Sequence, residues 1–306
     1  MKLTTRATGR RARGWMIAAA ATACVVAAAA AIVITTQSDA TPPVSARATP
    51  SPVPVEEPTE APAESRVPDP SELDDAAMAA LPAAIYDAVI PGLLPFEGAD
   101  ADSIEKAYTV DDDVAVYGSD RADPVARIPA LNFLDEPTIV VPVAFDGKWA
   151  LVLTPSRQEL PSRAGGRAPA QSAGWVPRDA LIEAHDLPAR VTVSVSAQSM
   201  TVETPEGDAT YPAGVGAEDT PTPVGTVGYL QARYDDPTQA DYTIQLTTLH
   251  SDVADEPFGG SDGGLIGLHY NLTSTGTVSH GCVRLAYDAL LAVNELPLGT
   301  PVVFVA

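Results

Sequence analysis

The hydrophobic pattern along most of this chain has a period of two residues. Between residues 191 and 196, valine alternates with threonine and serine, as in a half-buried β-strand. Similar short apolar or β-branched runs, separated by turn-forming residues, predict strands at 113–117, 138–145, 149–153, 200–204, 209–215 and 301–305. Helical patterns are found at 72–81 and 286–296. The chain is therefore predicted to be mainly β, with short helices.

The first 35 residues have a different pattern. Residues 14–34 carry no charged side chain, and a basic cluster precedes them: Lys2, Arg6, Arg10, Arg11 and Arg13. A helix of that length rises about 31 Å, close to the roughly 30 Å hydrocarbon core of a bilayer. Because positive charges stay cytoplasmic, residues 1–13 are predicted to be a cytoplasmic segment and 14–35 a single-pass transmembrane signal anchor in the cell membrane. The alternative is a cleaved signal peptide and a secreted protein.

Proline interrupts the residues that follow. Residues 36–70 are rich in Pro, Ala, Thr, Ser and Glu, a composition that cannot bury a core and favours a disordered linker. Residues 71–105 are predicted to be a short helical connector, because Pro82, Pro91 and Pro95 prevent its helix from continuing. Packed β-structure is therefore expected from residue 106 onward.

Charge and cysteine usage narrow the function classes. The formal net charge is −22, and residues 36–306 hold 13 Lys and Arg against 40 Asp and Glu. Such a surface repels phosphate groups, so nucleic acid is excluded as a partner. Cys24 lies in the apolar segment, which leaves Cys282 as the one cysteine of the exported part. An unpaired cysteine in an oxidising compartment is a candidate reactive thiol.

The residues around Cys282 suit acyl transfer. A thiol attacks carbonyl groups as its thiolate, so it needs a neighbouring imidazole to take its proton. The chain offers His269 and His280 for this purpose. Gly281 has no side chain, so its backbone N–H can approach a substrate carbonyl closely. Together with the N–H of Cys282 it is predicted to form an oxyanion hole.

Two other interpretations of these residues stay open. A lone cysteine is often a small buried hydrophobic residue. Zinc ligation by His269, His280 and Cys282, with His250 as a fourth ligand, is the competing chemistry, although a histidine and a cysteine two positions apart on one turn are poorly spaced for two ligands. The cysteine beside two histidines favours a nucleophile, with no metal and no other cofactor.

Several segments after residue 188 resemble those of one known family. In chain order they are VTVSVSAQSMTV at 191–202, TPTPVG at 220–225, a strand that ends in His269, SHGCVR at 279–284 and LGTPVVFV at 298–305. This order resembles that of L,D-transpeptidase (YkuD-type) catalytic domains, an all-β assembly with a short helix, over residues 189–306. The segments KWALV at 148–152 and GWV at 174–176 give residues 106–188 a resemblance to a bacterial SH3-like β domain.

The first resemblance implies a role for each residue of the site. Cys282 is the acyl-forming nucleophile, and His269 is the general base that forms a thiolate–imidazolium pair with it. His280, Ser279 and Gly281 are implied to support the turn that holds the cysteine. Arg284 is implied to bind a substrate carboxylate or to pair with an acid of the fold. Tyr270 is implied to contribute its backbone carbonyl near His269. The implied partners are peptidoglycan stem peptides, a tetrapeptide donor and an amine acceptor, joined in 3→3 cross-links in cell-wall biogenesis. A carbapenem is implied to acylate the same cysteine.

Three alternatives use the same residues differently. Hydrolysis of the acyl-enzyme would make the protein an L,D-carboxypeptidase, and a protein amine as acceptor would make it a protein-to-wall ligase. In a different class, the chain would be a non-catalytic wall-binding scaffold. The presence of His269, Gly281 and Cys282 together favours an enzyme.

Overall fold

The structure is a computed structural model that describes residues 67–236, 242–259 and 262–306. The predicted basic segment 1–13, the predicted signal anchor 14–35 and most of the predicted linker lie outside the described residues. Within the described part, no helix is long and apolar enough to cross a membrane. The described residues all belong to one compact unit.

Strands dominate the described residues, so the predicted mainly β fold class is confirmed. The upstream half, residues 67–188, contains a helix, eight strands and a turn of 3-10 helix: α1 (Asp75–Ala80), β1 (Leu94–Phe96), β2 (Lys106–Thr109), β3 (Val114–Tyr117), β4 (Pro124–Ile128), β5 (Val141–Asp146), β6 (Trp149–Thr154), β7 (Gln171–Pro177), the 3-10 turn Arg178–Ala180 and β8 (Ile182–Asp186). The C-terminal half contains nine strands and one helix: β9 (Arg190–Ser194), β10 (Ser199–Thr204), β11 (Gly207–Gly216), β12 (Thr226–Asp235), β13 (Thr243–His250), β14 (Leu265–Tyr270), β15 (Gly276–Ser279), β16 (Val283–Leu285), α2 (Tyr287–Asn294) and β17 (Pro301–Val305).

Both predicted helices are present, and each is shorter than its sequence pattern. Asp74 caps α1 by accepting a hydrogen bond from the Ala77 N–H at 2.8 Å, and the chain becomes extended at Leu81, before Pro82. The apolar face of α2 packs on the core through Ala289, Leu290 and Val293. The Asp74 cap and Pro82 therefore set the two ends of α1, whereas α2 is stabilised by packing on the core.

The upstream half is built on one sheet with strand order β4-β3-β7-β6-β5. Strand β1 also pairs with β7, and β2 and β8 form a separate two-stranded ribbon. Val116, Val152 and Val176 are fully buried in its core. The segments 148–152 and 174–176, which carry the SH3-like resemblance, fall at the neighbouring strands β6 and β7. The SH3-like class of residues 106–188 stays a prediction.

A nine-stranded sheet forms the C-terminal half, in the order β10-β9-β17-β12-β13-β14-β16-β11-β15. An additional pairing of β10 with β11 joins strands far apart in that order, so the hydrogen-bonded path closes on itself. The length of β11 allows this, because residues 207–212 pair with β10 and residues 213–216 pair with β16 and β15. The closed path surrounds a core in which Val191, Leu268 and Phe304 are fully buried.

One apolar cluster contains residues of both halves. It joins Val141, Leu153 and Ala173 of the upstream sheet to Val227, Tyr229 and Val303 of the C-terminal sheet. The Tyr229 hydroxyl also donates a hydrogen bond to the Ile139 carbonyl across this boundary, at 3.0 Å. Burial of one large apolar side chain stabilises a fold by about 1.5–3 kcal/mol. The two halves are therefore expected to unfold together.

His250, at the end of β13, is a buried histidine on the boundary between the halves. Its backbone N–H donates to the Ala170 carbonyl at 2.9 Å, and its Nε2 lies 2.8 Å from the Tyr86 carbonyl. Because a carbonyl only accepts, Nε2 carries the ring proton. Burial, followed by the nearby Arg157 cation, lowers the pKa of His250 to about 3. The ring is therefore neutral in the folded protein at neutral pH.

Acid is expected to destabilise the protein through His250. The folded-state pKa of about 3 lies below the ordinary value of 6.5, so the unfolded state binds the extra proton between these pH values. The stabilisation is complete above about pH 6.5 and is lost as the pH falls toward 3, by up to about 5 kcal/mol. Urea unfolding at about pH 7, 5.5 and 4 measures this loss.

His250→Gln is the matched variant for that measurement. Its amide nitrogen still donates to the Tyr86 carbonyl, but it does not titrate. The fall in unfolding free energy with acid is expected to be smaller in His250→Gln than in the wild type. An equal pH dependence in both proteins would assign the acid sensitivity to other groups.

Candidate active site

The pairing of β14 with β16 sets the geometry of the site. The two strands are parallel, with Leu268 opposite Val283 and His269 opposite Arg284. Leu268 and Val283 are fully buried in the core, so the alternation of side chains places His269 and Arg284 on the other face. Cys282 immediately precedes β16 and lines the same cavity as these two residues. The strand pairing therefore brings Cys282 and His269, which are separated in the sequence, to the same cavity.

The cavity has a volume of about 590 Å³, a size typical of small-molecule sites. The predicted residues that line it are His269, Ser279, His280, Cys282 and Arg284. Other walls come from residues that sequence reasoning did not single out: Tyr86 and Phe133 of the upstream half, and Tyr234, Asp236 and Asp262 of the C-terminal half. No local sequence signal marks these five residues, because only the folded chain brings their distant segments together.

Cys282 is partly buried and is held by two backbone groups. Its Sγ accepts a hydrogen bond from the Gly267 N–H at 3.4 Å and donates one to the Leu265 carbonyl at 3.8 Å. Burial raises the pKa of the Cys282 thiol, and the negative charge of Asp262 adds to the rise. The Gly267 N–H and the Arg284 cation oppose this rise in pKa, but burial is the largest effect. Burial therefore favours the neutral thiol in the free site.

His269 has a defined ring orientation in the same cavity. Its Nδ1 lies 3.0 Å from the Tyr270 carbonyl, which assigns the ring proton to Nδ1 and leaves Nε2 as the proton acceptor. Burial lowers the pKa of His269, and the Arg284 cation lowers it further. Within the described residues, no hydrogen bond joins this ring to Cys282 Sγ. Burial thus favours the neutral form of both groups, and the thiolate–imidazolium pair stays a prediction.

The turn from Ser279 to Cys282 is closed by the Ser279 hydroxyl. Its Oγ donates to the Cys282 carbonyl at 2.5 Å and accepts from the Gly281 N–H at 3.2 Å. Gly281 has a φ of 114°, and a Cβ there would lie 2.8 Å from Ile266 Cδ1. Glycine is therefore required here by both conformation and space. Because its N–H is bound to Ser279, this donor of the predicted oxyanion hole is already occupied in the free site.

The TPTPVG segment at 220–225 supports this turn from behind. Thr222 Oγ1 donates to the Gly281 carbonyl at 2.7 Å and accepts from the Gly216 N–H at 2.9 Å. Thr220 Oγ1 donates to the Ser279 carbonyl at 3.3 Å. Thr222 is 2% exposed, so its two partners have no access to water as a substitute. The segment that carries part of the family resemblance therefore fixes the backbone around the cysteine.

Three other predicted residues occupy distinct environments. His280 is exposed, and its ring meets that of Phe258 edge-on with centroids 5.5 Å apart. Arg284 Nε is buried and has no hydrogen-bond partner within the described residues. The Tyr270 ring packs on the core and against the Tyr242 ring, with centroids 4.2 Å apart. Tyr270 thus contributes its carbonyl to the site, and its ring lies elsewhere.

The zinc alternative lacks its proposed fourth ligand, because His250 Nε2 faces the Tyr86 carbonyl. Within residues 67–236, 242–259 and 262–306, no three His, Cys, Asp or Glu side chains come together as a metal site requires. The chemistry that the cavity offers is that of a thiol, an imidazole and an arginine.

The fold and the site define a closed β-sheet domain with a cysteine and a histidine in one cavity. Residues 188–304 match the family model of the YkuD L,D-transpeptidase catalytic domain. This match confirms the resemblance to L,D-transpeptidase catalytic domains noted over residues 189–306. A comparison with curated proteins returned no match.

Solved structures of L,D-transpeptidases are also similar to this chain. One from Mycobacterium smegmatis has 15% identity, covers 52% of this chain and 91% of its own, and gives a TM-score of 0.31. L,D-transpeptidase 3 from Mycobacterium tuberculosis, solved with a faropenem-derived adduct, has 13% identity and a TM-score of 0.34. The match covers 71% of this chain and 98% of that one. L,D-transpeptidase 1 from Mycobacterium tuberculosis has 18% identity and a TM-score of 0.29, and the match covers 44% of this chain and 78% of that one. Because these identities and TM-scores are low, the similarity to the family rests on the family-model match of residues 188–304.

Thr222→Val is expected to destabilise the protein. Valine has nearly the same shape, but it neither accepts from the Gly216 N–H nor donates to the Gly281 carbonyl. Each buried backbone group left unpaired costs about 1–3 kcal/mol, so the free energy of unfolding in urea should fall by at least that amount. Thr201→Val is the matched control, since the Thr201 hydroxyl bonds Thr210 on the exposed face of β10. The control should stay within about 0.5 kcal/mol of the wild type, and equal losses in both variants would contradict the supporting role of Thr222.

Proposed function

We propose that this protein is a peptidoglycan L,D-transpeptidase that forms 3→3 cross-links through an acyl-enzyme on Cys282. The observation that carries the proposal is the presence of Cys282 and His269 in one cavity of the segment that matches the L,D-transpeptidase family. A nucleophile beside a proton acceptor, with the acceptor oriented by a third group, is the arrangement that covalent acyl transfer needs. Here the third group is the Tyr270 carbonyl on Nδ1.

Acylation begins from neutral groups. As Cys282 Sγ bonds to the carbonyl carbon of the third residue of a tetrapeptide stem, its proton passes to His269 Nε2. The tetrahedral intermediate collapses by breaking the amide bond to the terminal D-residue. The departing amine takes the proton from Nε2, which leaves a thioester on Cys282 and a neutral imidazole.

Transfer to the acceptor reverses this proton path. The side-chain amine of a second stem attacks the thioester carbonyl, and His269 Nε2 takes one of its protons. The carbon–sulfur bond then breaks, and the imidazolium returns the proton to the departing sulfur. The products are a new amide, which is the 3→3 cross-link, and the free enzyme.

The charges of the cavity suit these two peptides. Arg284 has a buried Nε without a partner in the described residues, which favours a carboxylate of the stem peptide as its ligand. Asp236 and Asp262 line the same cavity and place negative charge in it. Negative charge attracts the protonated amine of an acceptor before it loses its proton. Both substrates of the proposed reaction therefore have oppositely charged groups to approach.

We also propose the location and the order of domains. The predicted anchor 14–35 and linker 36–70 would hold the catalytic domain outside the cell membrane, where stem peptides are exposed. Residues 106–188 of the upstream half are proposed to form an SH3-like domain between the linker and the catalytic domain. Cleavage after the apolar segment would release the same protein in secreted form.

Cys282→Ala is expected to abolish turnover and covalent labelling while the protein stays folded, since the change removes a single heavy atom, the sulfur. Wild-type protein incubated with a tetrapeptide-stem muropeptide should yield cross-linked dimers, and a carbapenem should add its own mass to the protein. Mass spectrometry of products and protein reads both results. Persistent dimer formation by folded Cys282→Ala would reject the nucleophile. A tripeptide product without dimers would indicate a carboxypeptidase instead.

The resting charge of the site predicts the effect of removing His269. Iodoacetamide labelling of the Cys282 peptide, followed against pH, should have its midpoint above the ordinary thiol value of about 8.5, because burial raises this pKa. His269→Ala should leave that midpoint nearly unchanged, since no hydrogen bond joins the two residues. Acylation by the muropeptide should fall about 10²–10⁴-fold, the usual contribution of a positioned base.

His280→Ala is the control for that experiment, because His280 is exposed and contacts Phe258. The labelling midpoint should not change in this variant, and the acylation rate should change by no more than a few-fold. A wild-type midpoint below neutral pH that rises in His269→Ala would instead establish a thiolate–imidazolium pair. A large loss of acylation in His280→Ala alone would move the base to His280.

A further inference from the structure

Arg157, in the loop after β6 of the upstream half, is a buried arginine that binds the C-terminal half. Its side chain is 2% exposed. The guanidinium donates to four backbone carbonyls: Nε to Gly263 at 2.7 Å, Nη1 to Ser251 at 2.9 Å, and Nη2 to Ala254 at 3.0 Å and Asp255 at 3.2 Å. All four carbonyls belong to the segment between β13 and β14, of which residues 251–259 and 262–264 are described. One side chain of the upstream half thus holds both ends of this segment.

The segment lies flush against the upstream half at two glycines. Gly264 has a φ of 69°, and a Cβ on it would overlap Arg157 Nη2. Gly263 has a φ of 65°, and a Cβ on it would lie 2.9 Å from the Tyr86 carbonyl oxygen. Glycine is required at both positions by conformation and by the close approach of the other half. The contact is therefore built into both partners.

Additional polar contacts from the same upstream loop reinforce this one. The Ala168 N–H donates to the Asp252 carbonyl at 2.9 Å, and Arg167 forms an ion pair with the Asp252 side chain. The Ser162 N–H donates to Asp255 Oδ1 at 3.0 Å. The Arg157 guanidinium bonds four carbonyls from a side chain that is 2% exposed, so its loss would leave several carbonyls unpaired.

The segment that Arg157 holds forms part of the cavity wall. Pro257, Phe258 and Asp262 of this segment line the cavity. Tyr86 and Phe133 of the upstream half also line it, and their rings meet edge-to-face with centroids 4.9 Å apart. The distance between these walls depends on how the two halves are joined, and Arg157 joins them beside the cavity.

The thiol itself is held by different contacts. Cys282 Sγ bonds the Gly267 N–H and the Leu265 carbonyl, which belong to β14. Strand β14 is paired with β13 on one side and with β16 on the other. The segment that carries the cavity wall and the nucleophile therefore depend on separate sets of hydrogen bonds, and those of Arg157 go to the segment.

We propose that Arg157 is a positioning residue for the substrate cavity, which makes the upstream half part of the peptide-binding site. Arginine suits this role because its planar group presents five donors in fixed directions, whereas lysine presents a single ammonium. The assignment of a peptide as the ligand rests on the proposed function. The effect of Arg157 on the position of the walls does not rest on that function, because access to the thiol can be measured without a peptide substrate.

The test compares Arg157→Met and Arg157→Lys with wild type in the full chain, with Arg121→Met as matched control. Arg121 is also a buried arginine of the upstream half, but it pairs with Asp146 at 2.7 Å and lies over the Trp175 ring, 3.5 Å from its centroid. Circular dichroism establishes folding. Kinetics with a tetrapeptide-stem muropeptide give KM and kcat separately. Labelling of the Cys282 peptide with iodoacetamide and with a bulky maleimide compares access to the thiol for a small and a large reagent.

In Arg157→Met, KM is expected to rise about tenfold or more while kcat stays within about threefold, because binding walls move and the reacting groups do not. The ratio of maleimide to iodoacetamide labelling should rise about fivefold, and the pH midpoint of iodoacetamide labelling should not change. Arg157→Lys should show the same direction of change, and it replaces Arg157→Met if that variant fails to fold. Arg121→Met should lower thermal stability without changing KM or the labelling ratio.

An unchanged KM and labelling ratio in folded Arg157 variants, with only a lower melting temperature, would overturn the proposal and leave Arg157 a stabilising residue. A wild-type protein that turns over no muropeptide would refute the proposed function. In that case the labelling ratio still decides the role of Arg157, because it needs no peptide substrate.

Discussion

The site depends on the parallel hydrogen bonding between β14 and β16. This pairing sets Leu268 opposite Val283 in the core, and the alternation of side chains then directs His269 to the cavity that Cys282 lines. A shift of one residue in register would exchange the histidine with the leucine, so the buried core also enforces the position of the proposed base. The turn before β16 is held from behind by Thr222, which gives the cysteine one backbone conformation.

Burial around this strand pair also determines the resting charge of the site. It raises the pKa of Cys282 and lowers that of His269, which favours the neutral form of both groups. Oxidation of cysteine depends on its thiolate fraction, and a neutral thiol therefore reacts slowly with oxidants. In the proposed mechanism, the same burial would make proton transfer to His269 a part of acylation itself.

The sequence by itself determined the features that local patterns encode. Alternating valines at 191, 193 and 195 indicated a strand of a sheet with one face in the core, and the unpaired Cys282 beside two histidines indicated the site. The central strands β12 and β13 were not predicted, because they are buried along most of their length and lack alternation. Buried polar residues on β13, Gln245, Thr247 and Thr248, obscured the pattern further.

Only the tertiary structure decided which distant residues complete the site and what charge it carries. Arg157 binds the Gly263 carbonyl across 106 positions of sequence, and Tyr86 and Phe133 reach the cavity from the upstream half. The burial that raises the pKa of Cys282 and lowers that of His269 also comes from the packing of distant segments. Contacts between remote segments and the exclusion of water depend on how sheets pack, and no short stretch of sequence encodes either one.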